Sequence, residues 1–376
     1  MPSPIPRERL LALDVFRGAT IAAMILVNNP GDWGHVYAPL RHAKWHGWTP
    51  TDLVFPFFLW IVGVAIVLAL GGRVASGEGL GAVRFKVVRR ALALVLIGLA
   101  LHGVGLAFEG WSFAAKWRFP GVLQRIGVCY GVAALLFLSC SARALVAVTA
   151  ALLVGYAAML CFVPVPGLGA PDLADPARTI AAWIDRSVFG EAHVWSQAKV
   201  YDPEGLLSTL PAIGTTLFGV FAGLVVKRHE PLETRIATLM VGGAALVAAG
   251  FVWDWFLPIN KPLWTSSYAV FTAGQASCAF GLALWFCDVR GRRRAVEPLR
   301  VYGVNAITVF VGSALLARVM REIKVGDGNL TGWAYRTLCT SWLDGERASL
   351  CWALLWVSAW FVVLKWMDRR GIRLRV

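Results

Sequence analysis

Between Arg41 and Asp52 the chain gathers two histidines, two cations, two tryptophans and a carboxylate in twelve residues. Histidine titrates near neutral pH and suits proton transfer there, and Asp52 is a carboxylate that can orient such a ring or stabilise its charged form. By residue type His42 and His46 serve equally well as a general base, and the competing reading of both is an ordinary loop histidine. Trp45 and Trp48 fit either the wall of a polar pocket or an aromatic belt at a membrane surface. Other polar groups stand at the edges of apolar runs. Gln124 and Arg125 follow Arg118-Phe-Pro-Gly, Tyr201-Asp202-Pro203-Glu204-Gly205 precedes one run, and Asn260-Lys261-Pro262-Leu263-Trp264 precedes another. The carboxylates Asp202 and Glu204 can cap a helix N-terminus or bind a polar substrate. Gln124 and Arg125 point to a water-filled or ligand-filled interior, unless Arg125 snorkels to the interface. Asn305 lies inside an apolar run. Asp14 and Arg17, three apart, share one helix face and pair with each other, or leave Arg17 to bind an anion.

The elements that must hold these groups are membrane helices. The chain is 58% apolar and only 15% charged, with a mean hydropathy of +0.64, too apolar for a water-soluble domain of 376 residues. A bilayer-crossing helix takes about 20 mostly apolar residues. Such runs fall near Leu10–Asn28, Thr51–Leu70, Val87–Phe108, Pro120–Cys140, Ala144–Phe162, Gly205–Val226, Ile236–Phe256, Trp264–Cys287, Leu299–Leu316 and Leu350–Trp366. The expected fold is therefore all-α, a polytopic bundle of about ten transmembrane helices. It forms a single domain over 1–376, with helical halves 1–162 and 205–376 joined by an outer loop, 163–204.

Within that loop Ile180, Trp183, Ile184 and Val188 recur at helical spacing. They suggest a short amphipathic helix on the outer surface, or a folded segment capping the bundle.

Alternate loops are short and basic, with Arg7 and Arg9, Arg73 through Arg90, Arg143, Lys227 through Arg235, Arg290 through Arg300, and Lys365 through Arg375. Lys and Arg mark the cytoplasmic side, so both termini are expected there. The net charge of +14 sits at helix ends. Anionic lipids and topology account for it, so lipids are the expected partners and nucleic acid is not. Asp14 and Arg17 interrupt the first apolar run and no small-residue cleavage site follows, so it is expected to stay as helix one rather than act as a signal peptide. The seven cysteines are scattered without Cys-x-x-Cys pairing, and neither a disulfide nor a metal site is expected.

The strings Leu13-Asp14-Val-Phe-Arg17-Gly18, Asn28, Arg41-His42-Ala-Lys-Trp45-His46-Gly47 and Asp52-Leu-Val-Phe-Pro56 resemble the heparan-alpha-glucosaminide N-acetyltransferase family, including its bacterial NagX-like members. Pro120-Gly-Val-Leu-Gln124-Arg125, Ile184-Asp185-Arg186, Tyr201 to Gly205 and Asn260 to Trp264 resemble further family blocks in the same order. The likeness thus covers most of the chain. It implies transfer of acetyl from cytosolic acetyl-CoA to the amine of a terminal glucosamine across the membrane. It also implies His42 as the catalytic histidine, as base or acetyl carrier, with Asn28 a helper in the acetyl site and Asp52 beside them. The large lumenal portion of the animal enzyme has no counterpart in this sequence, so a bacterial amino sugar or cell-wall fragment is the expected acceptor, in the inner membrane with the active site toward the periplasm.

On this reading Arg17, Asp14, Arg89, Arg90, Gln124 and Arg125 are candidates for the acetyl-CoA site. Trp45, His46, Tyr201, Asp202, Glu204, Asn260, Lys261 and Trp264 are candidates for the sugar site. A homo-oligomer is a further possibility. Two rivals share these features. An amino-sugar transporter would also have intramembrane polar groups and an outward pocket, and an O-acetyltransferase of surface glycans would use a hydroxyl acceptor.

Overall fold

In the bilayer every backbone N–H and C=O must be satisfied within its own segment, so long apolar runs fold as helices and end where Gly, Pro or charge lets the chain turn. A computed structural model describes residues 10–108 and 116–374. Arg7, Arg9 and Arg375 lie outside the described residues. The long helices are α1 (Leu11–Asn28), α2 (Val54–Ala75), α3 (Leu80–Phe108), α4 (Val122–Ser139), α5 (Ala142–Phe162), α7 (Thr209–Val226), α8 (Leu232–Asp254), α9 (Ser266–Leu284) and α13 (Gly345–Arg369). The shorter ones are α6 (Ile180–Phe189), α10 (Glu297–Val304), α11 (Ala306–Glu322) and α12 (Leu330–Tyr335). A two-stranded hairpin, β1 (Lys324–Val325) and β2 (Gly328–Asn329), precedes α12. Among the described residues nine helices are long and apolar enough to cross a membrane, or ten with α10 and α11 counted as one bent span. The all-α polytopic expectation holds.

One expected span differs. The run from Leu299 to Leu316 is broken at Asn305, where α10 and α11 meet at 79°. Asn305 has left helical geometry (φ −117°, ψ 34°), just after Gly303 is pressed onto α1. A Cβ on Gly303 would lie 1.8 Å from the Asp14 carbonyl oxygen, and one on Gly18 1.7 Å from that of Leu299. Only glycine permits this backbone-to-backbone crossing. Gly63 and Gly219 do the same for α2 and α7, where either Cβ would fall within 2.0 Å of a carbonyl oxygen of the facing helix.

Burial then sorts helices of similar hydropathy. About two thirds of α7 (67%) is covered by protein against 17% of α8. Helices α1, α2, α4, α7 and α9 form the interior, and α3, α5, α8 and α13 present most of their surface outward. The core runs through Leu59, Leu217, Val220, Tyr268 and Phe271 on one side and Trp60, Phe16 and Phe280 on the other.

Helix α6 exists as the periodicity of Ile180, Trp183 and Ile184 implies. It is capped by Thr179, whose hydroxyl accepts from the Ala182 amide at 3.2 Å. Its apolar residues Ile180 and Ala181 pack on Tyr156, Leu160, Leu257 and Leu263. It therefore lies on the end of the bundle, with Val188 59% exposed.

Candidate active site

The segment from Arg41 to Leu53 is held by a reciprocal cap. The Thr49 side chain and Asp52 exchange hydrogen bonds with each other's backbone at the start of a 3-10 turn, Pro50–Leu53. That cap buries Asp52 and saturates one of its oxygens. Oδ2 accepts from the Ala43 amide at 3.0 Å, the Thr49 amide at 3.0 Å and the Thr49 hydroxyl at 3.1 Å. Tyr268 of α9 donates to the Asp52 carbonyl. The remaining oxygen, Oδ1, faces His42 Nδ1 at 2.7 Å. Asp52 is 1% exposed and His42 47%, so a locked carboxylate orients a ring whose far edge stays open. With Nδ1–H donating to Asp52, Nε2 carries the free lone pair.

A second loop completes the constellation. The Gly47 amide donates to the Ile259 carbonyl at 2.7 Å, and Gly47 pairs with Asn260 in a parallel bridge. Asn260 is buried, and its Oδ1 accepts from the Leu263 amide at 2.8 Å. Its Nδ2 lies 3.3 Å from His46 Nδ1, so the partner of His46 is an amide rather than a carboxylate. Desolvation lowers the His46 pKa, opposed by Asp254. Lys261 Nζ stands 2.9 Å from His42 Nδ1, 3.2 Å from Nε2 and 3.5 Å from Asp52 Oδ1. Burial pulls its pKa below the ordinary lysine range, while the carboxylates of Asp52 and Glu204 pull it back up.

Trp45 donates through Nε1 to the Leu173 carbonyl at 2.7 Å. Its ring meets Tyr201 edge-on at 5.2 Å, and Tyr201 meets Trp195 at 6.4 Å. All three rings are partly exposed. They form an aromatic wall that starts three residues from His42, a surface suited to the apolar face of a sugar ring.

The carboxylates of the 201–205 segment do not cap α7, whose N-terminal Ser208 makes no side-chain cap. Arg118 grips Asp202 with Nε at 2.8 Å and Nη2 at 2.6 Å, and also binds Glu204. Asp185 of α6 accepts from the Leu206 amide at 2.8 Å and the Asp202 amide at 3.4 Å. Burial raises its pKa to about 6. Arg125 does not snorkel. It is 2% exposed, donates to the Gly205 carbonyl at 2.9 Å and to the Ser208 hydroxyl, and stacks on the Trp264 ring at 5.2 Å. Gln124 is buried beside it and donates to the Phe119 carbonyl at 3.1 Å.

The family description "heparan-alpha-glucosaminide N-acetyltransferase, catalytic" matches residues 9–250. The chain belongs to this family. Among its relatives, heparan-alpha-glucosaminide N-acetyltransferase of Mus musculus is 29% identical over 357 residues, covering 82% of this chain and 54% of its own length. The Homo sapiens protein of the same name is 30% identical over 355 residues, covering 81% and 52%. The chain thus spans about half the length of the heparan-alpha-glucosaminide N-acetyltransferases it matches.

In this family member none of the remaining candidates forms a hydrogen bond with His42 among the described residues. Arg17 pairs with Asp14 at 3.0 Å, as their spacing implies, and its Nη1 also reaches the Gly303 carbonyl at 3.4 Å. Arg89 and Arg90 are exposed on α3, with Arg90 over the Tyr130 ring at 5.1 Å. Asn28 closes α1 with its side chain exposed and makes no hydrogen bond to His42, Asp52 or Lys261. Sequence reasoning did not single out Trp195, Asp185 or Arg118 as site-forming groups. Arg118 heads the Arg118-to-Arg125 string, but nothing local ties it to Asp202, 84 positions away.

Proposed function

We propose that the chain is a transmembrane acetyltransferase of the bacterial inner membrane. It moves acetyl from cytosolic acetyl-CoA to the amine of a glucosamine-type sugar on the periplasmic side. The observation that carries this reading is the His42–Asp52 pair, an open imidazole on a buried, fully bonded carboxylate, in a family named for N-acetyl transfer to a glucosaminide. The basic loops at the opposite ends of the helices support a cytosolic assignment for that end.

Acyl transfer to an amine needs the neutral amine, a placed thioester and a stabilised oxyanion. His42 Nε2 takes the amine proton, and Asp52 holds the ring and its charge. The same residues serve a two-step route in which Nε2 itself carries the acetyl group. Trp45, Tyr201 and Trp195 stack on the sugar, with His46 and Asn260 at its edge. Asp202 and Glu204 act through Arg118 to hold Tyr201 in that wall.

The donor is an elongated molecule with phosphates at one end and amides along its arm. Arg17, Arg89 and Arg90 would meet the phosphates. The interior retains hydrogen-bonding capacity for the arm. Both amide atoms of Asn305, and Nε and Nη1 of Arg125, are buried without a partner among the described residues. Such orphaned groups fit a polar ligand better than a packed apolar core does.

The test is thiol release from acetyl-CoA by purified protein given glucosamine or chitosan-type oligosaccharides, for wild type, His42→Ala and His46→Ala. Acceptor-dependent release lost in His42→Ala and kept in His46→Ala supports the assignment. Folded protein that releases no thiol with any amine or hydroxyl, yet carries labelled amino sugar into vesicles, makes it a transporter. A rate that ignores the amine pKa, with a hydroxyl acceptor, makes it an O-acetyltransferase. Acetylated protein isolated after acetyl-CoA alone would select the two-step route.

A further inference from the structure

Lys261 reaches His42 from 219 positions away along the chain. Its ammonium is nearly equidistant from the two ring nitrogens, 2.9 Å from Nδ1 and 3.2 Å from Nε2. An approach to both in the ring plane would put Nζ on top of Cε1, which stands between them. The ammonium therefore lies over the face of the imidazole. The in-plane direction at Nδ1 belongs to Asp52 Oδ1 at 2.7 Å, and the in-plane lone pair of Nε2 stays open. A positive charge with donors to spare is thus fixed beside the atom that does the chemistry.

Resting on the acetyltransferase reading, we propose that Lys261 is a catalytic residue, whose ammonium donates to the oxyanion that forms at the thioester carbonyl as the acetyl group is transferred beside His42 Nε2. The acceptor nitrogen forms the new C–N bond, and the carbonyl π pair moves onto oxygen, where Lys261 stabilises it. His42 Nε2 takes a proton from the nitrogen. The oxyanion then collapses, the C–S bond breaks, and the leaving thiolate takes the proton from His42. In the two-step route the same oxygen charge appears twice at the same place, once as Nε2 takes the acetyl group and once as the amine removes it.

Three other cations nearby are committed. Arg41 donates to the Val36 carbonyl and pairs with Glu346, Arg118 holds Asp202 and Glu204, and Arg125 holds Gly205 and Ser208. Lys261 alone among these four is directed at the reacting ring. The carboxylates of Asp52, at 3.5 Å, and Glu204 favour the charged form of Lys261 against the burial that opposes it.

The test uses full-length protein in detergent with acetyl-CoA and glucosamine. Lys261→Met should lower kcat on the order of 10²- to 10³-fold, the usual cost of losing one oxyanion donor. KM values for both substrates should stay within about threefold, because the interaction is made in the transition state. Lys261→Arg should recover about tenfold or more of the loss by restoring a charged donor. Thermal midpoints establish that each variant is folded, and Lys261→Gln, neutral but polar, replaces the Met variant should that one fail to fold. A folded neutral variant with kcat within about threefold of wild type, or a loss confined to KM for the sugar, overturns the proposal. Wild-type protein inactive with every acceptor would instead remove the acetyltransferase reading on which it rests.

Discussion

Two ion clusters are built from loops between the helices, one from the loops before α4 and α7 and one from those before α2 and α9, and they differ in what they leave unspent. In the cluster of Arg118, Asp202 and Glu204 the arginine is 21% exposed and the carboxylates 0% and 10%. Each charge is answered by another, so the cluster ties the 201–208 segment to the start of α4. In the cluster of His42, Asp52 and Lys261 the carboxylate is equally buried, but His42 is 47% exposed and Nε2 keeps its in-plane lone pair. Buried carboxylates serve both clusters. The uncommitted nitrogen at the open edge is what separates the proposed reactive constellation from a structural one.

The largest expected effect follows from that contrast. His42→Ala should abolish acetyl transfer, a loss on the order of 10³-fold or more, while its thermal midpoint stays near wild type, because a half-exposed ring contributes little packing. An active His42→Ala variant, or one that unfolds, would break the comparison. Arg118→Ala should do the reverse. It strands two buried carboxylates, which costs on the order of 3–5 kcal/mol, read as a lower thermal midpoint in detergent. The fraction still folded at low temperature should keep a kcat near wild type, with any loss of activity confined to KM for the sugar, since Arg118 holds Tyr201 in the proposed aromatic wall. Gly205→Ala sharpens the structural side, since its Cβ would fall 2.0 Å from Asp185 Oδ2. Overpacking of this kind costs about 1–3 kcal/mol, with the midpoint again as the readout and the pH dependence of activity unchanged.

A pH-dependent effect belongs to Asp185, whose pKa burial raises to about 6. In the unfolded chain the group ionises near the ordinary aspartate value. Between the two pKa values the folded state holds a proton that the unfolded state has lost, so stability falls as pH rises through that window and is level above it. The full swing is up to about 3 kcal/mol. Thermal midpoints compared at pH values on either side of the window should show this fall in wild type and lose Asp185's share of it in Asp185→Asn. An identical slope in the variant would assign the pH dependence to other groups.

Much of the framework was legible in the sequence because its causes are local. Apolar length sets the spans, helical spacing puts Asp14 beside Arg17, and the periodicity of Ile180, Trp183 and Ile184 makes α6. Grouping His42 with Asp52 was within reach as well, since ten residues of loop join them. The break at Asn305 was not, because the run from Leu299 to Leu316 is apolar enough to read as one span and the bend arises where Gly303 meets α1. Nor did composition separate the interior α7 from the outward α8, since lipid and protein core are equally apolar solvents.

By itself the sequence determined that this chain is a bundle of membrane helices, which of its loops are basic, and where its titratable groups concentrate. Hydropathy and charge act over one helix length and need no distant partner. Only the tertiary structure decided that His42 rather than His46 has the carboxylate, that Arg118 closes on Asp202, and that Lys261 lies over the His42 ring. Those pairings depend on loops brought together by packing of helices far apart in the chain, and orientation at the scale of one hydrogen bond is set there.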